Sequence, residues 1–301
     1  MIADSRRGSD ASDAVLARDP APYDPDMLTD DDRAVASALI GLDGIAALSL
    51  GGSRAVGVDD AGSDTDLYAW FRGPLVGAGT RRRMLGPLAD GAVESFDVFG
   101  PEDHFAVRGR PVEVVYLDLA TIDEQVERAG LDGLAAEVCA TAFLHTAYVG
   151  IPVVDPHGEL ARLRAALATY PEATRERQFT ELPQLAAEFA AQLVKAQSRG
   201  DWPMVLRRRA GLVDVVASLV LALNRRYHPG EKRLLFHLAQ CDRRPEALSG
   251  RLRQACLSRA EDPGLAPGLL DLVWETAALR EGVGQPGKPV AGGAAPSPCV
   301  G

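Results

Sequence analysis

Residues Leu50 to Phe71 read Leu-Gly-Gly-Ser-Arg-Ala-Val-Gly-Val-Asp-Asp-Ala-Gly-Ser-Asp-Thr-Asp-Leu-Tyr-Ala-Trp-Phe. The stretch contains a glycine turn, a polar loop, and then Asp64 and Asp66 at the start of an apolar segment. If residues 64–71 form a strand, the two Asp side chains point to the same side. Adjacent carboxylates repel each other unless a cation lies between them. The stretch therefore predicts a site for a divalent metal ion.

The glycine turn supplies the other half of such a site. Gly51 and Gly52 have no side chain, so the backbone can turn sharply and its N–H groups can approach a phosphate closely. Ser53 adds a hydroxyl donor. Mg²⁺ is usually held by one or two carboxylates together with substrate phosphates. We therefore predict that Gly52 and Ser53 bind the phosphates of a nucleotide beside the metal.

A third carboxylate is available further along the chain. Residues 112–117, Val-Glu-Val-Val-Tyr-Leu, resemble a buried strand with one charge, Glu113. A carboxylate in apolar surroundings costs free energy unless it is paired or bound to a metal. Glu113 is therefore predicted to face Asp64 and Asp66 from a neighbouring strand and to act as a metal ligand.

Gly52-Ser53, ten intervening residues and Asp64-Thr65-Asp66-Leu67, with a later acidic strand residue, resemble the signature of the DNA polymerase β-like nucleotidyltransferase superfamily. The resemblance spans about residues 44–118. It implies that Asp64, Asp66 and Glu113 are catalytic and hold two Mg²⁺ ions, with ATP or another NTP as substrate. Glu113 departs from the pattern, because Asp is common at this position, but Glu offers the same chemistry.

Two other interpretations of the Asp pair are available. In an acidic chain, Asp-x-Asp is often a solvated turn without a metal. A phosphatase-like Asp-x-Asp motif, in which the first Asp is a nucleophile, needs an apolar strand leading into that Asp. Residues 58–63, Val-Asp-Asp-Ala-Gly-Ser, are mostly polar, which disfavours the phosphatase interpretation.

The composition is that of an ordinary globular protein. The 301 residues are 47% hydrophobic and 25% charged, enough for one large or two medium domains. A net charge of -10 argues against an extended nucleic-acid surface but permits a local basic pocket for one triphosphate. The four cysteines are scattered without metal-ligand spacing, and neither a signal peptide nor a membrane span is evident. A cytoplasmic location is expected.

The pattern of elements predicts an α+β fold, with a small mixed β-sheet followed by an α-helical bundle. Thr29 is expected to cap a helix that runs to about Leu42. The expected division is a flexible segment at 1–27, a nucleotidyltransferase domain at 28–150, a helical domain at 160–280 and a disordered tail at 281–301. Further predicted elements are helices at 80–89, 182–196, 202–223 and 234–239, and strands at 45–50, 64–71, 95–99, 105–107 and 112–117.

A second stretch, Leu223-Asn-Arg-Arg-Tyr-His-Pro-Gly-Glu-Lys-Arg-Leu, lies in the predicted helical region. It resembles the helical C-terminal domain of bacterial small-molecule nucleotidyltransferases, including the aminoglycoside and lincosamide enzymes. That resemblance implies that Lys232 meets the β or γ phosphate, with Arg225 or Arg226 nearby. The alternative is a helix end with basic residues, which the helix dipole favours in any case.

Taken together, these features predict transfer of a nucleoside monophosphate, expected to be AMP from ATP, to a hydroxyl of a small molecule. Acidic residues near the site would suit a cationic acceptor. A protein acceptor, as in toxin–antitoxin pairs that use AMPylation, and a non-catalytic nucleotide-binding regulator are the alternatives. Asp214 and Glu188 lie on predicted helices, but the sequence assigns neither as a general base. His145 and His157 are expected to be surface or capping residues.

Overall fold

The computed structural model describes residues 28–55, 57, 63–98, 100–134 and 139–281. The fold is α+β, with a six-stranded mixed sheet followed by long helices. The strands are β1 (Ile45–Leu50), β2 (Thr65–Phe71), β3 (Glu94–Phe96), β4 (Glu102–Val107), β5 (Arg110–Asp118) and β6 (Ile151–Val154). Their spatial order is β3-β4-β5-β2-β1-β6. Strands β2 and β5 are parallel, and the other neighbouring pairs are antiparallel.

The helices bracket the sheet and then form a bundle of their own. They are α1 (Asp30–Ile40), α2 (Gly52–Ala55), α3 (Ala78–Leu85), α4 (Leu119–Leu131), α5 (Ala142–Val149), α6 (Glu159–Leu167), α7 (Glu172–Arg199), α8 (Trp202–Leu223), α9 (Leu234–Ala239), α10 (Leu248–Leu257) and α11 (Leu265–Glu281). Helices α7, α8 and α11 enclose an apolar core. Within the described residues, no helix is both long and apolar enough to cross a membrane.

The two faces of the sheet have different covers. Alternation along β2 turns Leu67 and Ala69 into the apolar core beneath α1 and α3. Trp70 points to the opposite face, into a second core formed with α4, α5 and α6. Asp66 lies on this second face, four residues before Trp70, where the cover of helices gives way to a cleft. The alternation thus brings the Asp pair to an open part of a sheet that is otherwise covered.

Several predicted boundaries are confirmed by the fold. Thr29 caps α1 in a capping box with Asp32, although the helix ends at Ile40 instead of Leu42. The turn at Arg108-Gly109 joins β4 to β5, with φ values of 49° and 78°. Two left-handed residues in succession are typical of the tightest β-hairpins. Helices α8 and α9 have the predicted bounds.

Other boundaries needed correction. Helix α7 begins at Glu172 instead of residue 182, and Pro183, a residue best tolerated in the first turn of a helix, lies in its interior. The helix predicted at 80–89 is α3 followed by a 3-10 turn at Gly86–Leu88 that contains Pro87. Strand β4 starts three residues early and β3 ends at Phe96; the predicted strand end, Phe99, lies outside the described residues.

The predicted domain division stays a prediction. Strand β6 adds to the sheet just after residue 150, and α6 then packs on β1. The segments predicted to be flexible or disordered, 1–27 and 281–301, lie outside the described residues, apart from Glu281 at the end of α11. The described cysteines, Cys139, Cys241 and Cys256, are free thiols.

Candidate functional site

The glycine turn between β1 and α2 is built against β2. The N–H of Gly51 donates to the carbonyl of Asp66 at 2.8 Å. A Cβ atom on Gly51 would lie 1.9 Å from the ring of Tyr68. At Gly52, φ is +57° and a Cβ atom would lie 1.6 Å from Oδ2 of Asp66. Both positions therefore require glycine, and the backbone of Gly52 lies directly against the Asp66 carboxylate.

The structure brings the three predicted carboxylates together. Asp64 immediately precedes β2, Asp66 is its second residue, and Glu113 on β5 is in register with Asp66. One carboxylate oxygen from each of the three lies within 4.8 Å of the others. Burial, followed by the charges of Asp64 and Glu113, raises the pKa of Asp66 to about 6. Three crowded carboxylates of this kind form a donor set that suits a hard divalent cation.

Ser53 has the features of a phosphate ligand. Its hydroxyl oxygen is buried and has no hydrogen-bond partner within the part of the chain that the structure describes. The side chain lines the same cleft as Gly52 and Asp66. A buried hydroxyl without a partner costs free energy that an incoming phosphate oxygen could recover.

The cleft above the carboxylates has a volume of about 600 Å³. Residues from the glycine turn, from the sheet, from α5, from the segment that leads into α9 and from α9 itself line it: Gly51, Gly52, Ser53, Ser63, Asp64, Asp66, Tyr68, His145, Thr146, Val149, Gly150, Pro229, Glu231, Lys232, Arg233 and His237. A cleft of this size accommodates a small ligand such as a nucleotide. Polar groups converge at its sheet end.

Of Lys232, Arg225 and Arg226, the basic residues predicted to bind nucleotide, the structure brings Lys232 to the cleft. Lys232 lines it, and the charge of Lys232 opposes the rise in the pKa of Asp66. Arg225 is held elsewhere: its Nε donates to Oε1 of Glu172 on α7 at 2.6 Å. The prediction for Arg225 therefore needs correction, because a carboxylate of α7 already binds its guanidinium group. Arg233, which the sequence did not single out, lines the cleft beside Lys232.

His145 was expected at the surface or at a helix end, but it lines the cleft. Its ring lies edge-on to that of His237, with 5.9 Å between centroids. Burial and the neighbouring His237 lower the pKa of His145 to about 3, so the imidazole is neutral at physiological pH. No short-range pattern reveals this pair, because 92 residues separate its members in the sequence. His157 is exposed, as expected.

Neither acidic residue considered as a general base lines the cleft. Asp214 on α8 is half-buried, and burial together with the charge of Glu231 raises its pKa to about 6. Glu231 itself lines the cleft, so Asp214 lies close behind the wall. Glu188 on α7 is exposed.

A buried ion pair fixes α2 against β2. Nη1 of Arg54 donates to Oδ2 of Asp32 at 3.0 Å and to Oγ1 of Thr65 at 3.1 Å. Thr65 lies between Asp64 and Asp66, so this network sets the glycine turn relative to the two carboxylates. Burial alone would raise the pKa of Asp32, but hydrogen bonds from Thr29 and the Arg54 guanidinium outweigh it and hold the pKa below 3.8.

Asp32→Ala should lower the free energy of unfolding by about 3 kcal/mol at neutral pH, because it removes the buried carboxylate that accepts hydrogen bonds from both Arg54 and Thr65. Since the pKa of Asp32 is lowered by folding, its contribution is complete above pH about 4 and is lost as pH falls through the folded-state pKa. Urea unfolding at pH 7 and pH 3 should show the gap between wild type and variant narrowing in acid. Asp30→Asn, in the same helical turn but exposed, is the control, and a pH-independent gap would contradict the assignment.

A second buried ion pair, between Arg81 and Asp103, lies beneath α3. Nε of Arg81 donates to Oδ2 of Asp103 at 2.8 Å, and the Tyr116 hydroxyl donates to the same oxygen at 2.7 Å. The neighbouring Arg82 and Arg83 are exposed. Arg81 therefore holds α3 on the sheet, on the face opposite the carboxylates.

Sequence and structure comparisons give limited matches. A family model described as "Domain of unknown function (DUF4037)" matches residues 137–234, which include Lys232 but neither the glycine turn nor the carboxylates. A similar solved structure is a nucleotidyltransferase-like protein from Exiguobacterium sibiricum 255-15, with 12% identity, a TM-score of 0.40, and coverage of 83% of this chain and 73% of that one. No curated protein matches the sequence significantly.

Proposed function

We propose that this protein is a Mg²⁺-dependent nucleotidyltransferase that moves a nucleoside monophosphate, AMP from ATP, to a hydroxyl of a small-molecule acceptor. The observation that carries the proposal is the placement of Asp64, Asp66 and Glu113 within 4.8 Å of one another, beside the backbone of Gly52. The proposed phosphate-binding turn, Asp64 and Asp66 thereby line one cleft, with Glu113 beside them on β5.

The residues fit Mg²⁺. The donor set consists of carboxylate oxygens alone, which hard cations prefer, and burial together with the charges of Asp64 and Glu113 raises the pKa of Asp66, so a cation that neutralises the group is favoured. Asp64, Asp66 and Glu113 would hold the ions. Bound Mg²⁺ would neutralise phosphate charge and stabilise the attacking and leaving oxygens of an in-line displacement.

The chain's own residues perform the remaining tasks. Gly52, through its backbone N–H, and Ser53, through its hydroxyl, bind the triphosphate, while Lys232 pairs with its β or γ phosphate. The acceptor oxygen attacks the α-phosphorus, and the bond from that phosphorus to the pyrophosphate oxygen breaks. Glu113, at the far side of the carboxylate group from the turn, takes the proton of the acceptor hydroxyl.

The acceptor would enter from the open part of the cleft. The carboxylates there favour a cationic molecule, such as an aminoglycoside, over an anionic one. The net charge of -10 agrees with this preference. A protein acceptor would use the same carboxylates, so the identity of the acceptor has to be measured directly.

Pyrophosphate release from each of the four NTPs, with Mg²⁺ and a panel of aminoglycosides, lincosamides and other hydroxylated compounds, tests the proposal. We expect release that depends on ATP and on one class of acceptor. Glu124→Gln, which removes an exposed carboxylate on α4, is the matched control for substitutions in the site. If no compound of the panel leads to pyrophosphate release although the wild type still binds ATP, small-molecule transfer is contradicted. A protein acceptor or a nucleotide-binding regulator would then be favoured.

Lys232→Ala should raise the KM for ATP about tenfold and change the KM for the acceptor little, because one exposed charge–phosphate contact contributes about 1–1.5 kcal/mol. Steady-state kinetics with each substrate varied in turn would measure both effects. Lys195→Ala, on the exposed side of α7, provides a control for loss of a lysine. An unchanged KM for ATP would contradict the phosphate role of Lys232.

A further inference from the structure

Glu113 has polar neighbours on both sides of its strand. It is in register with Asp66 on β2 and with His104 on β4. Glu102 lies two residues before His104, so its side chain points to the same face of the sheet. The Asp64–Asp66 side of Glu113 is the proposed catalytic site. On the other side, Glu102 and His104 continue the polar row across the sheet.

The gap between these side chains has the size of a cation site. Nε2 of His104 lies 3.5 Å from Oε2 of Glu102 and 4.0 Å from Oε1 of Glu113. Ligand atoms from the three residues all lie within 4.8 Å of one another. Both measured distances are long for a hydrogen bond but leave room for an ion that contacts nitrogen and oxygen together.

The orientation of His104 points to the same gap. The side chain is 41% exposed, yet its Nε2 atom is completely buried and has no hydrogen-bond partner within the described residues. The ring of Phe96 packs against the imidazole with 4.9 Å between centroids. The nitrogen is thus turned inwards, towards the two carboxylates, where a buried polar atom without a hydrogen bond costs free energy. A metal ion between the two Glu side chains would use the lone pair of that nitrogen.

We propose that Glu102, His104 and Glu113 form a second divalent-cation site, which shares Glu113 with the Asp64–Asp66 site and prefers Zn²⁺ or a similar transition-metal ion to Mg²⁺. Imidazole is a good ligand for transition metals such as Zn²⁺, whereas Mg²⁺ takes oxygen ligands in near-ideal octahedral geometry. The two neighbouring positions therefore differ in chemistry: one offers oxygen alone and the other offers nitrogen and oxygen. Glu113 can contribute one carboxylate oxygen to each.

Calorimetric titration of Zn²⁺ into metal-free protein, with excess Mg²⁺ and no nucleotide, tests this site without any measurement of transfer activity. Wild type should bind Zn²⁺. His104→Ala and Glu102→Gln should each weaken that binding at least about tenfold, since loss of outer-sphere partners alone costs 10–100-fold. Glu94→Gln is the matched control, because Glu94 is exposed and in register with His104 but does not belong to the group.

The outcomes separate this site from the catalytic one. Equal Zn²⁺ affinity in wild type and His104→Ala, with both proteins folded by circular dichroism, would overturn the proposal. Asp64→Asn should retain most of the Zn²⁺ affinity, and a loss as large as that of His104→Ala would instead place Zn²⁺ among the catalytic carboxylates. If the protein transfers no nucleotide, the Zn²⁺ titration still tests this second site, because it does not depend on transfer activity.

A separate measurement tests whether the two metal sites share Glu113. Mn²⁺ binds to both kinds of ligand set, and two Mn²⁺ ions bridged by one carboxylate couple magnetically. Electron paramagnetic resonance of the Mn²⁺-saturated wild type should show this coupling, and His104→Ala should bind one Mn²⁺ ion fewer and lose the part of the coupling that Glu113 carries to the second site. Two bound Mn²⁺ ions without coupling in the wild type would overturn the shared ligand.

Discussion

Asp66→Asn should abolish nucleotidyl transfer and leave the protein folded. Asparagine keeps the shape of the side chain but lacks the negative charge that holds a divalent cation. A catalytic metal contributes several kcal/mol of charge stabilisation in the transition state, so the expected loss in kcat/KM is about a thousandfold or more. Pyrophosphate release with saturating Mg²⁺ would measure it, beside Glu124→Gln as the charge-matched control.

When no metal is present, Asp66→Asn should make the folded protein more stable than wild type. Burial and the charges of Asp64 and Glu113 raise the pKa of Asp66 from 3.8 to about 6. A carboxyl group with a higher pKa in the folded state binds its proton more tightly when folded, so its ionisation favours unfolding. Metal-free wild type should therefore lose stability relative to Asp66→Asn as pH rises from about 4 to about 6.

The difference should be on the order of 1–2 kcal/mol at neutral pH once solvent screening is allowed for. In EDTA at pH 7.5, Asp66→Asn should unfold at a higher temperature than wild type. Added Mg²⁺ should raise the Tm of wild type more than that of the variant, since a ligand stabilises only the folded protein that binds it. Equal Mg²⁺ responses in the two proteins would show that Asp66 is not a metal ligand.

The part of the site that the sequence predicted is the part that depends on local geometry. Gly52 and Asp66 belong to one turn and one strand, and period-two alternation determines which way the Asp side chains point. Glu113 could be added because a single charge in an apolar strand needs a partner. The structure confirms that these carboxylates meet, and the parallel register of β2 and β5 is the physical reason.

The residues that the sequence did not predict depend on contacts between distant segments. His145 and His237 come together only because α5 and α9 border one cleft. Arg225 looked available for phosphate, but Glu172, 53 residues earlier, binds it. Basic residues near a helix end have many possible partners, and packing of α7 against α8 determines which acidic residue Arg225 binds. Propensity and spacing carry no information about that choice.

Gly52→Ala should abolish transfer more completely than its single methyl group suggests. The added Cβ would lie 1.6 Å from Oδ2 of Asp66, so either the carboxylate or the turn must move. Movement of the carboxylate removes a metal ligand, and movement of the turn withdraws the phosphate-binding N–H groups. Displacement by about 1 Å can cost a hundredfold in rate, and either shift here disturbs a group that the proposed reaction needs, so we expect a loss of about a hundredfold or more.

Gly57→Ala separates this clash from backbone strain. Gly57 also has a left-handed backbone, with φ of +69°, but a Cβ atom there would meet nothing within 4 Å. Both alanine variants should lose about 1–2 kcal/mol of stability from the left-handed conformation, measured by urea unfolding. Only Gly52→Ala should also lose transfer and Mg²⁺-dependent stabilisation. Equal activity in the two variants would mean that the close approach of Gly52 to Asp66 is not needed for catalysis, and the glycine turn would then have a structural role alone.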